Sequence, residues 1–473
     1  MNASDPMPHK SLLWLVAVGV FMQTLDATII NTALPSMAAS LGESPLRMQW
    51  VVVAYSLTMA MLIPASGWIA DRFGTRRVFF SAILLFVAGS VLCALSRGIG
   101  QLVAARVVQG LGGAMLLPVG RLALLRSVAR HQFLPALSFV AIPGLIGPLI
   151  GPTLGGWLVQ FASWQWIFLI NVPVGLVGCI AAARVMPDLR GALRGRFDTA
   201  GYALLALGMV AILLAIDGVS GLGLQQAGVL VLLVFGFASI TAYWLHASRR
   251  PHPLFEPSLF GIPTLSIGLM GNLFSRLGSG CMPFLVPLLL QVSMGYSPLH
   301  AGLMMLPTAL AGMAVKRVAT PLIMRFGYRQ VLVVNTALVG LTMATFGLAA
   351  PGQPVVLRIL QLAAFGAVNS LQFTAMNTIT LKDLDSSRAS SGNSLLSMVQ
   401  MLAMSMGVAA ASAVLAGYSG VFGAATPVAT LHAFQATFAS MGLITLASAL
   451  IFWHLPPEAR ASQPHQPEVS GQG

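Results

Sequence analysis

The chain has 473 residues, of which 57% are hydrophobic and only 8% are charged. About a quarter of the residues are charged in an average soluble domain, so this composition excludes a soluble multidomain protein and indicates a polytopic membrane protein. The net charge of +13 would suggest nucleic acid in a soluble protein, but membrane topology explains the basic excess better, and we expect no nucleic-acid partner. The three cysteines lie in apolar runs without CxxC spacing, which favours neither a disulfide framework nor a metal site.

Fourteen apolar runs are long enough to cross a bilayer as helices, for which about 20 residues are needed. Strands of a membrane barrel would be about ten residues long and alternating, so the pattern indicates helices. A count of twelve or thirteen stays open if one short run is re-entrant. The runs start near Leu12, Trp50, Val78, Gly98, Leu137, Trp164, Ala200, Ala227, Leu265, Ala301, Val331, Val355, Ser394 and His432.

The basic residues orient these spans. With the amino terminus in the cytoplasm, most of the 25 Lys and Arg residues fall in cytoplasmic segments, and only Arg47 and Arg97 fall clearly outside. This segregation follows the positive-inside rule and supports fourteen spans with both ends in the cytoplasm. The first run is too long for the apolar region of a signal peptide, so we interpret it as an uncleaved helix. We expect a monomeric, multi-pass protein in the lipid bilayer of a bacterial cytoplasmic (inner) membrane.

Two short patterns recur at nearly the same offset. The pattern Arg72-Phe-Gly-Thr-Arg76 is matched by Arg325-Phe-Gly-Tyr-Arg329, 253 positions later. The pattern Arg106-x-x-Gln109 returns as Arg358-x-x-Gln361, 252 positions later. Both pairs are eight spans apart, which predicts an all-α protein of six helices, two inserted helices and six more. The predicted divisions are a first six-helix bundle (1–186), a basic linker with the inserted helices (187–250), a second six-helix bundle (251–455) and a disordered cytoplasmic tail (456–473).

Asp26, in the first span, is the one acid that the sequence places clearly inside the hydrocarbon region. An ionisable group there is costly and marks a functional site by default, and a buried carboxyl group can load and release protons near physiological pH. Arg106 in the fourth span lies at a similar depth, and it shares a helix face with Gln109, Gly110 and Gly113. We predict proton coupling by Asp26 and Arg106. The alternatives are a structural ion pair for Asp26 and a snorkelling side chain for Arg106.

Four polar side chains inside spans are candidates for binding the substrate. They are Gln23, Gln109, Asn272 and Arg276. Arg276 could bind an anionic group of the substrate or hold a carboxylate, and a packing role is an equal alternative. Arg358 lies close to the outer interface, where we predict that it snorkels.

Small residues and prolines alternate in the fifth span, as Gly147, Pro148, Gly151, Pro152 and Gly155. Small residues at every fourth position make a smooth face for close helix packing, and prolines bend a helix. We interpret the span as a bent helix between the two halves that seals against leak. A simple packing face, like that of a helix dimer, is the alternative.

A loop after the second span holds Gly67, Asp71, Arg72, Gly74 and Arg76. The acid could cap the next helix or pair with an arginine across an interface, and such a contact could break and re-form when the halves move. We therefore predict a role in conformational gating. An ordinary positive-inside loop would explain the arginines, but not the placed glycines and aspartate.

Several kinds of site are missing from the sequence. None of the three lysines follows a glycine, so the chain has no Gly-x4-Gly-Lys-Ser/Thr phosphate loop, and the eight histidines show no metal-ligand spacing. We expect no nucleotide, no cofactor, no metal and no enzymatic activity, and transport driven by a proton gradient.

Five segments together resemble the drug:proton antiporter family with fourteen helices, within the major facilitator superfamily. They are residues 25–35, 67–77, 106–114, 147–156 and 164–173. The first half is most similar to the MdtD branch of that family. The resemblance implies two six-helix bundles plus two inserted helices, and export driven by proton entry with Asp26 and Arg106 in coupling. The chain departs from the family pattern where Thr75 replaces a basic residue and where the loop at 316–329 lacks the acid.

The leading functional hypothesis is a proton-coupled exporter of small amphipathic compounds, for which abundant Met and Phe provide a pliable apolar pocket. The alternative is a proton-coupled exporter of a defined organic anion or metal chelate, such as a citrate-like acid, with Arg106 and Arg276 as counter-charges. A membrane sensor or channel is a third class, and the repeat and the intramembrane acid favour a carrier over it.

Overall fold

The computed structural model describes residues 10–128, 133–191, 197–218, 226–385, 388–423 and 426–455. All regular secondary structure in these ranges is helical. This agrees with the solvent, because a bilayer offers no hydrogen bonds and a helix satisfies its backbone within one segment. The predicted tail, 456–473, and part of the predicted linker, 192–196, lie outside the described residues.

Within the described residues, fourteen membrane-spanning helices are arranged as two bundles with a pair between them. The first bundle contains α1 (Lys10–Ile29), α2 (Gln49–Phe73), α3 (Thr75–Leu95), α4 (Ile99–Ser127), α5 (Phe133–Phe161) and α6 (Asn171–Val185). The inserted pair is α7 (Thr199–Asp217) and α8 (Gln226–Ala247). The second bundle contains α9 (Pro263–Ser279, continued by Met282–Leu288 and Leu289–Ser293), α10 and α11 (306–326 and 328–345 within Leu306–Thr345), α12 (Val355–Leu381), α13 (Ala389–Phe422) and α14 (Pro427–Phe452).

The number of spans follows from one long segment. Within the described residues, 13 stretches are long and apolar enough to cross a membrane, and one of them, Pro298–Leu348, has 51 residues. Its helix is interrupted at Gly327, where φ is 76° and ψ is 158°. The segment therefore contains two spans, α10 and α11, and the structure agrees with the predicted count of fourteen.

The repeat in the sequence extends to the backbone conformation. Gly74 joins α2 to α3 with φ of 90°, and Gly327 joins α10 to α11 with φ of 76°. Only glycine adopts such angles readily, because it has no Cβ atom. At Gly74 a Cβ atom would also lie 2.2 Å from Asp188 Oδ1. The same tight turn thus occurs in both bundles, eight spans apart.

The two bundles are joined at their outer ends. Buried residues from both bundles, among them Ile30, Leu34, Leu285 and Leu289, form one apolar cluster there. The four described hydrogen bonds between the bundles all lie at this end: Gln291 Nε2 to Thr32 O (3.0 Å), Thr153 Oγ1 to Gly302 O (3.2 Å), Leu299 N to Gln160 Oε1 (3.3 Å) and Ser412 Oγ to Leu46 O (3.4 Å). The structure is therefore closed on the outer side.

The inserted helices lie beside the seam between the bundles. A Cβ atom on Gly208 of α7 would lie 3.2 Å from Gly236 O of α8, so the two helices pack closely. Helix α7 also contacts α13 of the second bundle and α2 of the first. The pair is thus placed where a movement of one bundle against the other would reach it.

Asp198 fixes the cytoplasmic end of this pair. Its carboxylate accepts a hydrogen bond from the Gly201 N–H at the start of α7 and contacts His246 Nε2 of α8 at 2.7 Å. Burial alone would raise the pKa of Asp198, but the hydrogen bonds from His246, Gly201 and Leu254 outweigh burial and hold the pKa below its usual value. The acid therefore caps α7 in its ionised form.

Candidate functional site

Asp26 lies inside the first bundle with only 1% of its surface exposed. Its Oδ2 atom is 2.6 Å from Arg106 Nη1, so the two predicted residues form a buried ion pair. Its Oδ1 atom accepts hydrogen bonds from Gln109 Nε2 at 2.7 Å and from Asn171 Nδ2 at 3.1 Å. The carboxylate is thus satisfied by three donors from α4 and α6, as a buried charge requires.

Arg106 has several partners besides Asp26. Its Nε atom donates to Val51 O of α2 at 3.0 Å, and Nη1 also donates to Gln109 Oε1 at 2.6 Å. The guanidinium carbon lies 4.1 Å from the centre of the Tyr55 ring, at which distance a cation is attracted to the face of an aromatic ring. Arg106 therefore keeps several partners when the charge on Asp26 changes.

Glycines bring the neighbouring helices close enough for these contacts. A Cβ atom on Gly110 would lie 2.9 Å from Thr58 Cβ, and one on Gly113 would lie 2.8 Å from Tyr55 Oη. On α3, a Cβ atom on Gly89 would lie 2.5 Å from the backbone nitrogen of Gln109. The glycine stripe of α4 thus positions Arg106 and Gln109 against α2 and α3.

Three residues that contact Asp26, Arg106 or Gln109 were not predicted from the sequence. Ser90 of α3 accepts a hydrogen bond from Gln109 Nε2 at 2.9 Å, Asn171 donates to Asp26, and Tyr55 faces Arg106. Asn171 lies inside the 164–173 segment that resembles the opening of the sixth helix in the family, which was the available signal for it. Ser90 and Tyr55 carry no such signal, since both are common residues of packed spans.

The coupling cluster, defined as Asp26, Tyr55, Ser90, Arg106, Gln109 and Asn171, joins five helices of the first bundle. Asp26 and Arg106 neutralise each other, and both are 1% exposed. A proton on Asp26 would cancel its charge and leave the buried guanidinium uncompensated, which is costly in a low dielectric. The arrangement can therefore convert one protonation event into a change of helix packing.

A second polar cluster lies in the second bundle. Asn272 of α9 is fully buried, and its Oδ1 atom accepts from Arg276 Nε at 3.2 Å and from Gln400 Nε2 at 3.3 Å. The Arg276 guanidinium lies 4.6 Å from the centre of the Phe373 ring of α12. Among the described ion pairs none contains Arg276. Within the described residues, Arg276 therefore does not hold a carboxylate, which was one of the predicted alternatives.

The other substrate candidates are divided between sites. Gln109 belongs to the coupling cluster, which it links through both its oxygen and its nitrogen. Gln23 lies one turn before Asp26, and its Oε1 atom is buried without a hydrogen-bond partner among the described residues. The structure thus joins Asn272 with Arg276, but it joins neither of them with Gln23 or Gln109.

The prediction that Arg358 snorkels to the interface is wrong. The residue is 3% exposed. Its Nη2 atom donates to Ala350 O at 2.9 Å, and Nη1 donates to Tyr296 Oη. These acceptors bond the two terminal nitrogens of the guanidinium inside the protein, while Nε is buried without a hydrogen-bond partner among the described residues, so the side chain does not reach the lipid headgroups.

The loop between α2 and α3 is held within the first bundle. Asp71 pairs with Arg126 of α4 at 2.6 Å, and Arg76 Nε donates to Met186 O at 2.5 Å. Of the two contacts predicted for Asp71, the cap is absent, because α3 has Gly74 as its N-cap and no side-chain cap. The pair with an arginine is present, and it joins α2 to α4 within one bundle.

The contacts of two residues in this loop do not explain the residue types found there. A Cβ atom on Gly67 would meet no atom within 4 Å, so the position does not require glycine. Arg72 has an exposed side chain near the end of α2, which fits an ordinary positive-inside residue. Gly74, Asp71 and Arg76 keep defined contacts, and their role in gating stays a prediction.

The glycine stripe of α5 packs against α1. A Cβ atom would lie 2.4 Å from Thr24 Oγ1 at Gly147, 2.3 Å from Thr28 Oγ1 at Gly151 and 2.3 Å from Ile29 O at Gly155. The stripe is therefore a packing face for a neighbouring helix of the same bundle, which agrees with the alternative interpretation.

The contact of α5 with the second bundle comes from the neighbouring residues. Gly156 approaches Pro298, since a Cβ atom there would lie 2.2 Å from Pro298 O. Thr153 donates to Gly302 O, and a Cβ atom on Gly302 would lie 2.3 Å from Pro152 O. Helix α5 therefore supports Asp26 through α1 with one face and closes the outer side with another.

Gly155→Ala is expected to destabilise the protein by about 1–3 kcal/mol, because overpacking a close contact forces the backbone apart. The relevant contact is to a backbone oxygen of α1, which cannot rotate away. Thermal unfolding in detergent measures the effect. Gly417→Ala in α13, where a Cβ atom meets nothing within 4 Å, is the matched control, and an equal loss in both variants would contradict the prediction.

Solved transporters share this arrangement of helices. An auto-inhibited POT family peptide transporter superposes with a TM-score of 0.70 at 16% identity, covering 96% of this chain and 98% of its own. A bacterial homologue of the human lysosomal transporter Spinster, in an inward-facing and unoccupied conformation, gives a TM-score of 0.69 at 15% identity, covering 95% and 97%. At such identities the likeness concerns the fold alone.

The sequence profile of the Major Facilitator Superfamily matches residues 16–408. The chain belongs to the major facilitator superfamily. It is thus a multi-pass membrane protein of a transporter family, as the composition and the spans predicted.

Bacterial relatives support the predicted branch. The chain is 50% identical over 455 residues to a multidrug resistance protein MdtD of Pectobacterium atrosepticum, covering 96% of this chain and 97% of the relative. It is 51% identical over 452 residues to the MdtD protein of Serratia proteamaculans, covering 95% and 94%. The resemblance to the MdtD branch is therefore confirmed over nearly the whole length of both chains, and it agrees with the predicted location in the bacterial inner membrane.

Proposed function

We propose that the protein is a proton-coupled antiporter that exports small amphipathic compounds by alternating access. The observation that carries this proposal is the buried Asp26–Arg106 pair, in which a titratable carboxyl group is linked to five helices of one bundle. The multidrug resistance names of the MdtD relatives support the substrate class. The exporter would act as a monomer in the lipid bilayer, with protons and substrate as its only partners and no cofactor or nucleotide.

The coupling cluster suggests the order of events. In the outside-closed state Asp26 is paired with Arg106 and fits an ionised carboxylate, with a donor on each oxygen. When the outer side opens, a proton from outside binds Asp26, weakens its attraction to Arg106 and favours release of the substrate. Deprotonation toward the cytoplasm restores the ion pair and resets the carrier.

Arg106 needs to remain in place while Asp26 is neutral. Val51 O and the Tyr55 ring supply partners from α2, which also contacts α13 of the second bundle. A change at Asp26 thus shifts the balance of contacts on α2, the helix that forms one side of the seam. This connection is the physical route from the proton to the gate.

Proteoliposomes with a trapped pH dye and an imposed proton gradient test the proposal. Lipophilic cations, neutral amphipathic drugs and organic acids are added in turn, and protein-free liposomes correct for passive permeation. Substrate-triggered proton flux through the protein is the expected result. A failure of every compound class to move protons would contradict proton coupling, and substrate movement down its gradient at equal rates with and without a pH difference would contradict antiport.

Export of an organic anion is the second candidate function, and Arg276 favours it. The guanidinium lies between Asn272 and Phe373 and has no acid among its described partners. A cation without an acid can bind a carboxylate of a substrate through charge-assisted hydrogen bonds. Gln400 and Asn377, which are hydrogen-bonded to each other at 2.6 Å, add amide groups to the same cluster.

Arg276→Ala distinguishes the two substrate classes. Loss of a hydrogen bond to a charged group costs about 1.5–3 kcal/mol, so the half-saturating concentration of an anionic substrate should rise roughly 10- to 100-fold. If the protein exports amphipathic drugs, the half-saturating concentration of a lipophilic cation should change by no more than about twofold. Concentration-dependent flux in proteoliposomes measures both, with Arg97→Ala on the outer surface as the control. Equal effects on both classes would assign Arg276 to packing.

A further inference from the structure

A second acid is buried in the inserted helices. Asp217, the last residue of α7, has 0% of its surface exposed. This corrects the sequence analysis, in which only Asp26 qualified as an intramembrane acid. Because Asp217 lies at the end of its span, the sequence did not separate it from the adjacent loop, whereas the start of α2 covers it in the folded protein.

The carboxyl group of Asp217 is half satisfied. Gln49 Nε2, at the start of α2, donates a hydrogen bond to Oδ1. The indole of Trp50 is its other polar neighbour, but Oδ2 is buried without a hydrogen-bond partner among the described residues. Gln49 Oε1 is equally buried and without a partner there. Two unsatisfied acceptors thus occur in one hydrogen-bonded pair.

No described cation compensates this acid. The ion pairs in the described ranges involve Asp26, Asp71, Asp198 and Glu43, but not Asp217. On the α2 side, the charged groups are Arg47 and Glu43, which pair with each other at 2.7 Å.

The other elements around Asp217 contribute no charge either. Helix α13 presents Ser412 toward the turn before α2, and its segment 389–422 contains no ionisable residue except Tyr418. The sequence from 218 to 226, which leads into α8, contains no ionisable residue. Arg97, before α4, is exposed.

An ionised carboxylate in this place would be a buried charge with only the neutral side chains of Gln49 and Trp50 beside it and no counter-ion in the described ranges, which is strongly unfavourable. A proton on Oδ2 removes the charge and turns an unsatisfied acceptor into a donor, for which Gln49 Oε1 is the adjacent free acceptor. We propose that Asp217 and Gln49 form a second proton-binding site, separate from the coupling cluster and occupied by a proton while the outer side is closed.

A cavity lies beside the site at the outer side of the protein. The cavity, of about 480 Å³, is lined by Gln49 and Trp50 together with Arg47, Leu214 and Ser412. The site lies between α7 and α2, next to the seam with α13. Separation of α2 from α7 would expose Asp217 to water and allow it to ionise. Release of the proton rests on the alternating access proposed above. Binding of the proton in the closed state does not depend on that proposal.

Infrared spectroscopy of the full chain in detergent or lipid tests the bound proton without a substrate. The carbonyl stretch of a protonated carboxyl group is expected at neutral pH in the wild type and in Asp26→Asn, and it should be lost in Asp217→Asn. Asn keeps the shape of Asp and can still bond to Gln49, so the variant should fold, and its unfolding temperature is recorded alongside. A band absent from the wild type, or lost only in Asp26→Asn, would overturn the proposal.

Labelling with a hydrophobic carbodiimide gives a second measurement that needs no variant. Such reagents add to protonated carboxyl groups in apolar surroundings, and peptide mass spectrometry locates the adduct. Asp217 should be labelled at neutral pH and protected at high pH, while the partly exposed Glu43, which is paired with Arg47, is not labelled at neutral pH. Absence of label on Asp217 in protein that is labelled elsewhere would count against the site. Both tests stand even if no proton flux is found, so failure of the antiport proposal is distinguishable from failure of this one.

Discussion

Asp26→Asn is expected to abolish substrate-driven proton flux while leaving exchange of substrate across the membrane intact. Asn keeps the shape of the side chain and two of its contacts, to Gln109 and Asn171, but it cannot bind a proton. Because Asn has no proton to exchange, substrate-driven proton flux should fall to the level of protein-free liposomes. The internal pH dye measures flux, and exchange of labelled substrate at equal pH on both sides measures the remaining transport.

The exchange measurement separates a loss of coupling from a loss of folding. Glu43→Gln removes a carboxylate of the exposed Arg47 pair and serves as the matched control, with flux expected to stay at the wild-type level. Proton flux that survives unchanged in Asp26→Asn would remove Asp26 from coupling. Loss of exchange together with flux would indicate a structural role for the ion pair instead.

Arg106→Ala is expected to cost about 3–5 kcal/mol of stability, because it leaves the Asp26 carboxylate buried without its counter-charge. The double variant Asp26→Asn/Arg106→Ala should recover part of this loss, since no uncompensated charge remains. Unfolding in detergent, followed by denaturant or temperature for all three variants, gives the interaction energy of the pair.

Removal of an exposed arginine provides the comparison. Arg47→Ala breaks the Glu43 pair, in which the arginine side chain is 58% exposed, and should change stability by no more than about 1 kcal/mol. If the double variant were less stable than Arg106→Ala alone, the penalty would come from lost packing of the guanidinium on Tyr55 rather than from charge.

The spans and the main ion pair were predictable from the sequence for physical reasons. A bilayer forces each crossing to be a long apolar helix, so the apolar runs together with the positions of the basic residues favour fourteen spans. The cost of a charge in hydrocarbon restricts the partners of Asp26 to residues at its own depth, and Arg106 met that condition. The pair is therefore present in the structure at 2.6 Å.

The remaining contacts depend on which helix faces meet, and one sequence does not contain that information. Asn171 and Ser90 are ordinary polar residues until α6 and α3 bring them to Asp26 and Gln109. Asp71 had two plausible partners, and only the position of α4 selects Arg126. Arg358 looked like an interface residue because its acceptor, Ala350 O, is a backbone atom.

Proton release on substrate binding tests the coupling mechanism most directly. The purified protein is held in weak buffer with a pH dye, and the compound with the largest flux in proteoliposomes is added. Because the protonated form of Asp26 releases the substrate, substrate binding should shift the protein toward the ionised form. The wild type and Asp217→Asn should therefore release protons, and Asp26→Asn should release none. Equal release from Asp26→Asn and the wild type would contradict the assignment of Asp26 as the proton carrier.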